Sequence, residues 1–349
     1  MATSSRGSKY WEERALQLEL AQHNRGSEYI RTLEEAYLLA DKETRKKIAA
    51  LYARLADNNE ISMQGARKLL EKNELDEFHW DVDKYIEIGR EHSLDPKWMK
   101  QLENASLKVR ISRLDAMRVH MRSKVEQLMA EEYDGLSYVM REMYEQGYYR
   151  TSHMIQTGLA VGSGFGGIDD DAVDKVLVKP WLPDGRNFSE RIWGIHRPQL
   201  VNDLHTGLTQ CIIRGDSYRN LERLISKKYD VALHRAQTLV RTEGAYFSSV
   251  SQQESYEKNG VEYQRFSAVL DLRTSEICRS MDGRVFKTSE IKIGVNAPPL
   301  HPRCRSTMIP HFEGNIKARA ARDSQGNSVE IPEDLSYEEW YERFVKNKS

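Results

Sequence analysis

The sequence predicts a mainly α-helical protein that carries a small α+β domain towards its C-terminus. Apolar residues recur at spacings of three and four through most of residues 10–147 and 189–259, which is the periodicity of an amphipathic helix. From Val261 to Leu272 the pattern changes to an alternation rich in β-forming residues, and residues 283–286 resemble a second short strand. Helices followed by short strands favour this fold class.

The N-terminal half is predicted to be helical and elongated. No proline interrupts residues 10–57, and a heptad-like apolar stripe runs through residues 107–143. A continuous helix over residues 98–146 would span roughly 70 Å, which is too long for a helix inside a small globule. The stripe therefore predicts an extended stalk, an antiparallel hairpin, or a helix that lies on a partner.

A cluster of glycines separates the two halves. Gly162, Gly164, Gly166 and Gly167 lie close together, and we interpret them as a hinge. Their spacing formally matches a dinucleotide-binding fingerprint, but a helix rather than a strand is predicted before them. The predicted domains are a helical N-terminal domain for partner contacts (1–157), a hinge and linker (158–188), a compact α+β domain (189–312) and a polar tail with a short capped helix (313–349).

Composition narrows the class of protein. The chain has 349 residues, which suits two domains with extensions. Its 52 lysines and arginines balance 53 acidic residues, so global charge does not indicate a protein that coats nucleic acid. The sequence shows neither a signal peptide nor the roughly 18 continuous apolar residues of a spanning helix. Three cysteines argue against a disulfide framework and predict folding in a reducing cytoplasm.

One stretch of the C-terminal half is rich in distinctive motifs. It contains Asp271-Leu-Arg273-Thr274, Cys278, Asp282-Gly283 and Pro298-Pro299-Leu-His301-Pro302-Arg-Cys304-Arg305-Ser306. This stretch resembles the signature of the Mu-F-like head morphogenesis family of phages, and Arg241-Thr242-Glu243 upstream matches the same family. The resemblance extends to residues 10–14, 184–193 and 336–340 and so covers nearly the whole chain. The chain departs from many relatives in having Ser275 and Ser306 where they carry cysteines.

The resemblance implies a structural role and no enzymatic activity. Members of the family are minor capsid proteins, present in few copies per head, that associate with the portal protein inside the procapsid. The resemblance therefore implies a virion protein made in the host cytoplasm that aids head assembly and genome packaging or ejection. The portal is the expected partner, scaffold or major capsid protein and genomic DNA are further candidates, and no membrane is involved.

Cys278, His301 and Cys304 form a candidate metal set. His-x-x-Cys is a compact chelate spacing, and Cys278 could complete a structural zinc site with Asp271, Asp282 or water as fourth ligand. The alternative is that both cysteines are packed core residues and His301 bonds to a backbone carbonyl. A catalytic Cys–His pair is disfavoured because His301 lies on a proline-rich, rigid segment only three residues from Cys304. No catalytic or cofactor-binding residue is predicted.

Two further sets of charged residues are candidates for structural or binding roles. Arg241 and Glu243 lie two positions apart on a helix and cannot face each other, so each is predicted to pair with the 271–273 segment. A basic run on the long helix could contact DNA phosphates or an acidic portal surface, although such runs are usually solvated helix faces. The run consists of Lys108, Arg110, Arg113, Arg118, Arg122 and Lys124.

Overall fold

The computed structural model describes residues 8–56, 86, 113–159, 167–168, 170–182, 184–214, 216, 218–269 and 273–312. Gly162, Gly164 and Gly166 of the predicted hinge, and the polar tail, lie outside these residues. The helices are α1 (Ser8–Ala56), α2 (Arg113–Leu159), α3 (Asp170–Val178), α4 (Phe188–Arg191) followed by a π-helical turn (Ile192–His196), α5 (Arg197–Arg214), α6 (Tyr218–Lys258) and α7 (Glu276–Met281).

A small antiparallel sheet completes the fold. Its strands are β1 (Tyr263–Ser267), β2 (Val285–Lys287) and β3 (Thr307–His311), with a 3-10 turn over Thr288–Glu290, and their order is β2-β1-β3. The predicted fold class, mainly helical with a small sheet in the C-terminal region, is confirmed. The sequence did not predict β3, which contains Pro310 and pairs with β1 alone. Proline is tolerated in such a strand because one of its sides needs no backbone donor.

Buried positions on α1 follow a heptad-like stripe. They include Trp11, Ala15, Gln22, Gly26, Ile30, Leu33, Tyr37, Ala40, Thr44 and Ile48, on steps of three, four or seven residues. In contrast, α2 is buried on more than one side, and it carries buried polar residues such as Ser152 and Gln156. The Ser152 hydroxyl bonds to that of Ser255 on α6 at 2.9 Å, so polar pairing between helices accompanies the burial.

One helix is longer than the sequence predicted. The helix expected over residues 98–146 continues to Leu159 as α2. Gly147 lies inside α2 and faces α6. A Cβ at that position would lie 2.3 Å from the Ser251 hydroxyl. The glycine lets α2 approach α6 closely, and tertiary packing outweighs its low helix propensity.

The described chain divides into two compact units. Unit 1 comprises residues 1–29, 136–187 and 238–349, and unit 2 comprises residues 30–135 and 188–237. The predicted domains follow the order of the chain, whereas these units combine segments that are remote in sequence. Each of α1, α2 and α6 contributes residues to both units.

The core of unit 1 joins the first helix to the sheet. Trp11 is 2% exposed, and its ring centroid lies 5.1 Å from that of Phe312. A Cβ at Gly158 would lie 2.2 Å from the Trp11 ring, so the indole packs directly on the α2 backbone. The same cluster contains Ala15, Met154, Ile155, Tyr256, Val261, Phe266, Cys278, Ala297, Cys304, Met308 and Ile309.

Unit 2 combines an apolar core with buried hydrogen bonds. Tyr37 donates its hydroxyl to Glu132 at 2.6 Å, and the hydroxyls of Thr44 and Tyr229 lie 2.9 Å apart. Four residues of α5 and the π-helical turn before it are at most 1% exposed, namely Ile192, Leu200, Leu204 and Leu208. Cys211 is 3% exposed, whereas Ile195 is only partly buried.

Candidate metal centre

Three potential metal ligands converge in unit 1. Cys278 belongs to α7, and His301 and Cys304 belong to the loop that leads into β3. Cys278 Sγ lies 3.3 Å from His301 Nε2 and 3.6 Å from Cys304 Sγ, and the three ligand atoms all lie within 4.8 Å of one another. Both cysteines are 1% exposed and His301 is partly exposed. The residues that the sequence grouped are therefore neighbours in space.

Local backbone structure fixes both sides of this group. Ser275 caps α7, and its hydroxyl accepts a hydrogen bond from the Cys278 N–H at 3.3 Å. In the loop, the Cys304 N–H donates to the His301 carbonyl at 3.2 Å, which closes a tight turn. Arg303 within that turn has φ of 60°, a left-handed conformation that side chains other than glycine rarely adopt. The turn aims residues 301 and 304 towards Cys278.

The hydrogen bonds of His301 determine which nitrogen can bind a metal. Nδ1 lies 2.9 Å from the Pro302 carbonyl oxygen, which can only accept, so Nδ1 carries a proton. In the neutral ring, Nε2 then has a free lone pair, and Nε2 is the atom that faces Cys278. Metal-bound histidines commonly make such a bond to a carbonyl through their other nitrogen. The hydrogen bond from His301 to a backbone carbonyl, which the packing hypothesis predicted, is thus equally compatible with His301 as a metal ligand.

The two thiols share a hydrogen bond that makes them unequal. The Cys304 thiol hydrogen-bonds to Cys278 and lowers the pKa of Cys278 to about 5, although burial acts in the opposite direction. The same hydrogen bond, together with burial, raises the pKa of Cys304. The hydrogen bond therefore favours the thiolate form of Cys278, which is the form that binds metals.

Of the two aspartates considered as the fourth metal ligand, only Asp282 lies within the described residues. Asp282 Oδ1 accepts a hydrogen bond from the Ala268 N–H at 2.8 Å and stabilises the turn that follows α7. Asp271 lies outside the described residues. Gly283, next to Asp282, has φ of 76°, a conformation that favours glycine at this position. Its N–H donates to the Phe266 carbonyl at 2.9 Å.

The Arg241-Thr242-Glu243 motif lies on α6 and contacts the loop that carries His301 and Cys304. Thr242 Oγ1 accepts a hydrogen bond from the Arg303 N–H at 3.2 Å, and the Arg303 guanidinium donates to Thr238 Oγ1 at 2.6 Å. The sequence identified the motif but gave no signal for these contacts, because residues 242 and 303 are 61 positions apart. They anchor the left-handed turn on a rigid helix.

Glu243 and Arg241 take different positions. Glu243 is 1% exposed and accepts a hydrogen bond from Trp181 Nε1 at 2.9 Å, and the Trp181 ring stacks on Tyr246 with centroids 4.6 Å apart. Arg241 is exposed. The predicted pairing with the 271–273 segment involves Asp271 and so falls partly outside the described residues. Trp181, which the sequence did not single out, is a partner of the motif.

The remaining motif residues surround the same loop. Thr274 donates its hydroxyl to the Val269 carbonyl and is 8% exposed. The Pro298–Pro299 peptide bond is cis. Pro302 and Arg273 are exposed, and Arg305 is close enough to His23 to affect its titration. The motif residues named here, from Arg273 to Arg305, lie along the chain between β1 and β3.

The basic run of α2 is paired with acids of unit 2 wherever its side chains are described. Arg118 contacts Asp115 at 3.7 Å, Arg122 contacts Glu126 at 3.3 Å and Lys124 contacts Glu43 at 2.5 Å. Lys108 and Arg110, and the side chain of Arg113, lie outside the described residues. Paired cations are less available to a nucleic acid than free ones.

Comparison with known proteins agrees with the motifs. Residues 202–309 match the family described as Phage Mu protein F like protein. The matched segment includes the Arg241–Glu243 motif, all three residues of the candidate metal centre and most of the sheet. The chain therefore contains a segment similar to the Mu protein F-like family. We refer to residues 202–309 below as the Mu F-like segment.

A curated relative extends the similarity beyond the Mu F-like segment. The chain is 25% identical over 224 residues to Minor head protein GP7 of Bacillus phage SPP1, and the alignment covers 59% of this chain and 70% of the relative. No solved structure matches the chain. The name of this relative and the family match together support a structural role in a phage head. Within the part of the chain that is described, no helix is sufficiently long and apolar to span a membrane.

Removing the hydrogen bond between Thr242 of α6 and Arg303 of the loop is expected to lower the stability of the Mu F-like segment. Thr242→Val keeps the shape of the side chain but removes the acceptor for the Arg303 N–H, which should cost about 1–2 kcal/mol of unfolding free energy. Chemical denaturation followed by circular dichroism measures this cost. Thr238→Val is the matched control, because the Arg303 guanidinium that it releases can reach water. Equal effects of the two variants would contradict the anchoring role of Thr242.

A buried carboxyl group makes the stability of unit 1 dependent on pH. Glu19, His23, Met143 and Arg241 line a small cavity. Glu19 is partly exposed as a residue, but its carboxyl group is enclosed, and this burial raises its pKa from 4.5 to about 8. Burial, Arg241 and Arg305 lower the pKa of neighbouring His23. The folded chain thus holds a proton on Glu19 that the unfolded chain releases above pH 4.5.

Glu19→Gln is therefore expected to stabilise the protein at alkaline pH. The contribution of Glu19 becomes increasingly unfavourable from pH 4.5 to about 8 and then stays constant, whereas glutamine remains neutral throughout. A pKa raised from 4.5 to about 8 corresponds to about 5 kcal/mol in the absence of solvent screening. Because the residue is partly exposed, we expect a smaller gain of about 1–2 kcal/mol at pH 8.5, and no gain at pH 4. Thermal unfolding at several pH values measures this difference, with exposed Glu28→Gln on the same helix as control. A gain that is independent of pH would contradict the assignment.

Proposed function

We propose that this protein is a phage minor head protein that associates with the portal protein inside the procapsid and takes part in genome packaging or ejection. The observation that carries the proposal is the match of residues 202–309 to the Mu protein F-like family. The similarity to a protein named as a minor head protein supports it. Such proteins act by binding other head components, so the surface of the chain rather than a catalytic cleft should carry the function.

The positions of the family motif residues support a structural role. Thr242, Glu243, Cys278 and Cys304 are each at most 5% exposed and contact one another's segments. Residues used for catalysis need access to a substrate, whereas residues that hold a domain together do not. We therefore assign the motif to the stability of the Mu F-like segment, and partner binding to residues elsewhere.

Exposed leucines on α1 are our candidates for the portal contact. Leu38 is 62% and Leu39 is 56% exposed, although both lie on a helix whose other positions are regularly buried. Adjacent large apolar side chains on a surface are characteristic of interaction sites. The sequence also predicts that the N-terminal helices make the partner contacts.

Co-expression with the portal protein of the same phage tests the proposal. Complex formation is measured by size exclusion with light scattering, using the full chain because residues 8–29 supply the buried Trp11. We expect a stable complex with the native chain, and at least a tenfold weaker one (about 1.4 kcal/mol) with the Leu38→Asp, Leu39→Asp variant. Val295→Asp is the matched control, since Val295 is 68% exposed but lies in unit 1. Absence of a complex at low salt, with or without scaffold protein, would contradict portal association.

Binding of genomic DNA is the second candidate that the sequence raised. The pairing of Arg118, Arg122 and Lys124 with acidic residues does not favour it. Retention of the full chain on duplex DNA at increasing salt tests this candidate, because each phosphate contact adds to the salt dependence. Strong retention that is lost on replacing Lys108 and Arg110 would support DNA binding by the basic run.

A further inference from the structure

We propose that Cys278, His301 and Cys304 bind a zinc ion that cross-links the sheet region of unit 1. In a tetrahedral site with zinc–sulfur bonds of about 2.3 Å and zinc–nitrogen bonds of about 2.0 Å, two sulfurs lie about 3.8 Å apart and a sulfur and a nitrogen about 3.5 Å apart. The corresponding distances are 3.6 Å between the two Sγ atoms and 3.3 Å from Cys278 Sγ to His301 Nε2. Two edges of the tetrahedron are thus already formed.

The third edge requires only a small movement. All three ligand atoms lie within 4.8 Å of one another, so closing the edge from His301 to Cys304 needs a shift of at most about 1.3 Å. His301 is partly exposed and lies on a loop, which allows its ring to rotate. Its Nδ1 bond to the Pro302 carbonyl keeps Nε2 directed inward.

The donor atoms select the type of metal. Two thiolates and an imidazole favour zinc over magnesium or calcium, which prefer oxygen ligands. A disulfide is the competing fate of the two thiols, but it needs sulfurs about 2.05 Å apart, whereas these lie 3.6 Å apart and both cysteines are free. The fourth ligand is an oxygen donor, either a water molecule or the nearby Ser306 hydroxyl, which hydrogen-bonds to Cys278.

A metal at this position would connect segments that otherwise share little core. Cys278 and Cys304 are 26 positions apart, and the chain between them includes β2 but few buried side chains. Small domains with little apolar core often rely on such a cross-link. The Thr242–Arg303 anchor would hold the two loop ligands in place, as groups behind metal ligands commonly do. This role is independent of portal association.

Metal content and cobalt spectroscopy of the full chain test the proposal. We expect about one zinc per chain by elemental analysis after purification under reducing conditions. Cobalt added to metal-free protein should give thiolate charge-transfer absorption and the strong visible bands of a tetrahedral site. Cys304→Ser and His301→Ala should each bind cobalt at least about tenfold more weakly. Cys211→Ser, which removes a free and buried thiol in unit 2, should bind like the native chain.

A gain-of-function variant keeps the test informative if a ligand variant fails to fold. Ser306→Cys places a third thiolate beside Cys278 and is expected to tighten cobalt binding and intensify its charge-transfer band. The proposal is overturned if the native chain contains no zinc and cobalt gives no thiolate band. It is equally overturned if Cys304→Ser binds cobalt like the native chain, or if peptide mass mapping of reduced-cytoplasm protein finds a Cys278–Cys304 disulfide.

Discussion

Replacing Trp11 with alanine is expected to lower the free energy of unfolding by about 3–5 kcal/mol, the largest effect of any single substitution considered for this protein. The indole is 2% exposed and contacts the ring of Phe312 and the backbone at Gly158. The substitution leaves a cavity where α1, α2 and the sheet region meet. Urea denaturation followed by far-ultraviolet circular dichroism measures the loss without relying on tryptophan fluorescence.

Leu20→Ala on the same helix is the control for this prediction. Leu20 is 61% exposed, so its removal should change stability by less than about 0.5 kcal/mol. If Trp11→Ala cost no more than this control, the first turns of α1 would not belong to the core of unit 1. In that case the N-terminal segment could be deleted without unfolding unit 1, and the deletion could be used to test portal binding.

Replacing both Arg122 and Arg197 with alanine is expected to cost about 3 kcal/mol or more. Glu126 is 0% exposed, and its two carboxylate oxygens lie 3.3 Å from Arg122 and 3.4 Å from Arg197. Without these arginines the buried carboxylate loses its main positive neighbours, and its desolvation is poorly compensated. Thermal unfolding at low and high salt measures the loss, which should depend little on salt because the pairs are partly enclosed.

A double-mutant comparison separates charge compensation from simple packing. In a Glu126→Leu background the same two arginine substitutions should cost much less, because no buried charge remains. An equal cost in both backgrounds would show that the arginines act through their aliphatic stems. A variant that is fully stable but no longer retained on DNA would instead assign Arg122 to nucleic-acid binding.

Periodicity predicted the helices well but not where they end. The alternation after Val261 predicted β1, and residues 283–286 overlap β2, since local patterns carry this information. Gly147, just past the predicted end of a helix at residue 146, lies inside α2, and Tyr218–Lys258 form one continuous helix. Packing partners far along the chain, such as Ser251 opposite Gly147, decide these cases, and no local pattern reveals them.

The candidate metal centre was predictable as a set of residue types. His-x-x-Cys is a recognisable spacing, and Cys278 was the remaining cysteine of the same segment. The role of Thr242 was not predictable, because its contact with Arg303 depends on how α6 packs against the loop. The basic run was predictable as a charge pattern, but its acidic neighbours Glu43 and Glu126 could be identified only from side-chain geometry.

By itself the sequence determined the fold class, the resemblance to the Mu protein F-like family and the identity of the three metal-ligand candidates, because each depends on residue types at short, fixed spacings. Only the tertiary structure decided that residues 8–29, 136–187 and 238–312 pack as one unit, and that Cys278 lies 3.6 Å from Cys304. The physical reason is that burial and close packing act between surfaces that the folded chain brings together, and their partners leave no trace in the local pattern of either segment.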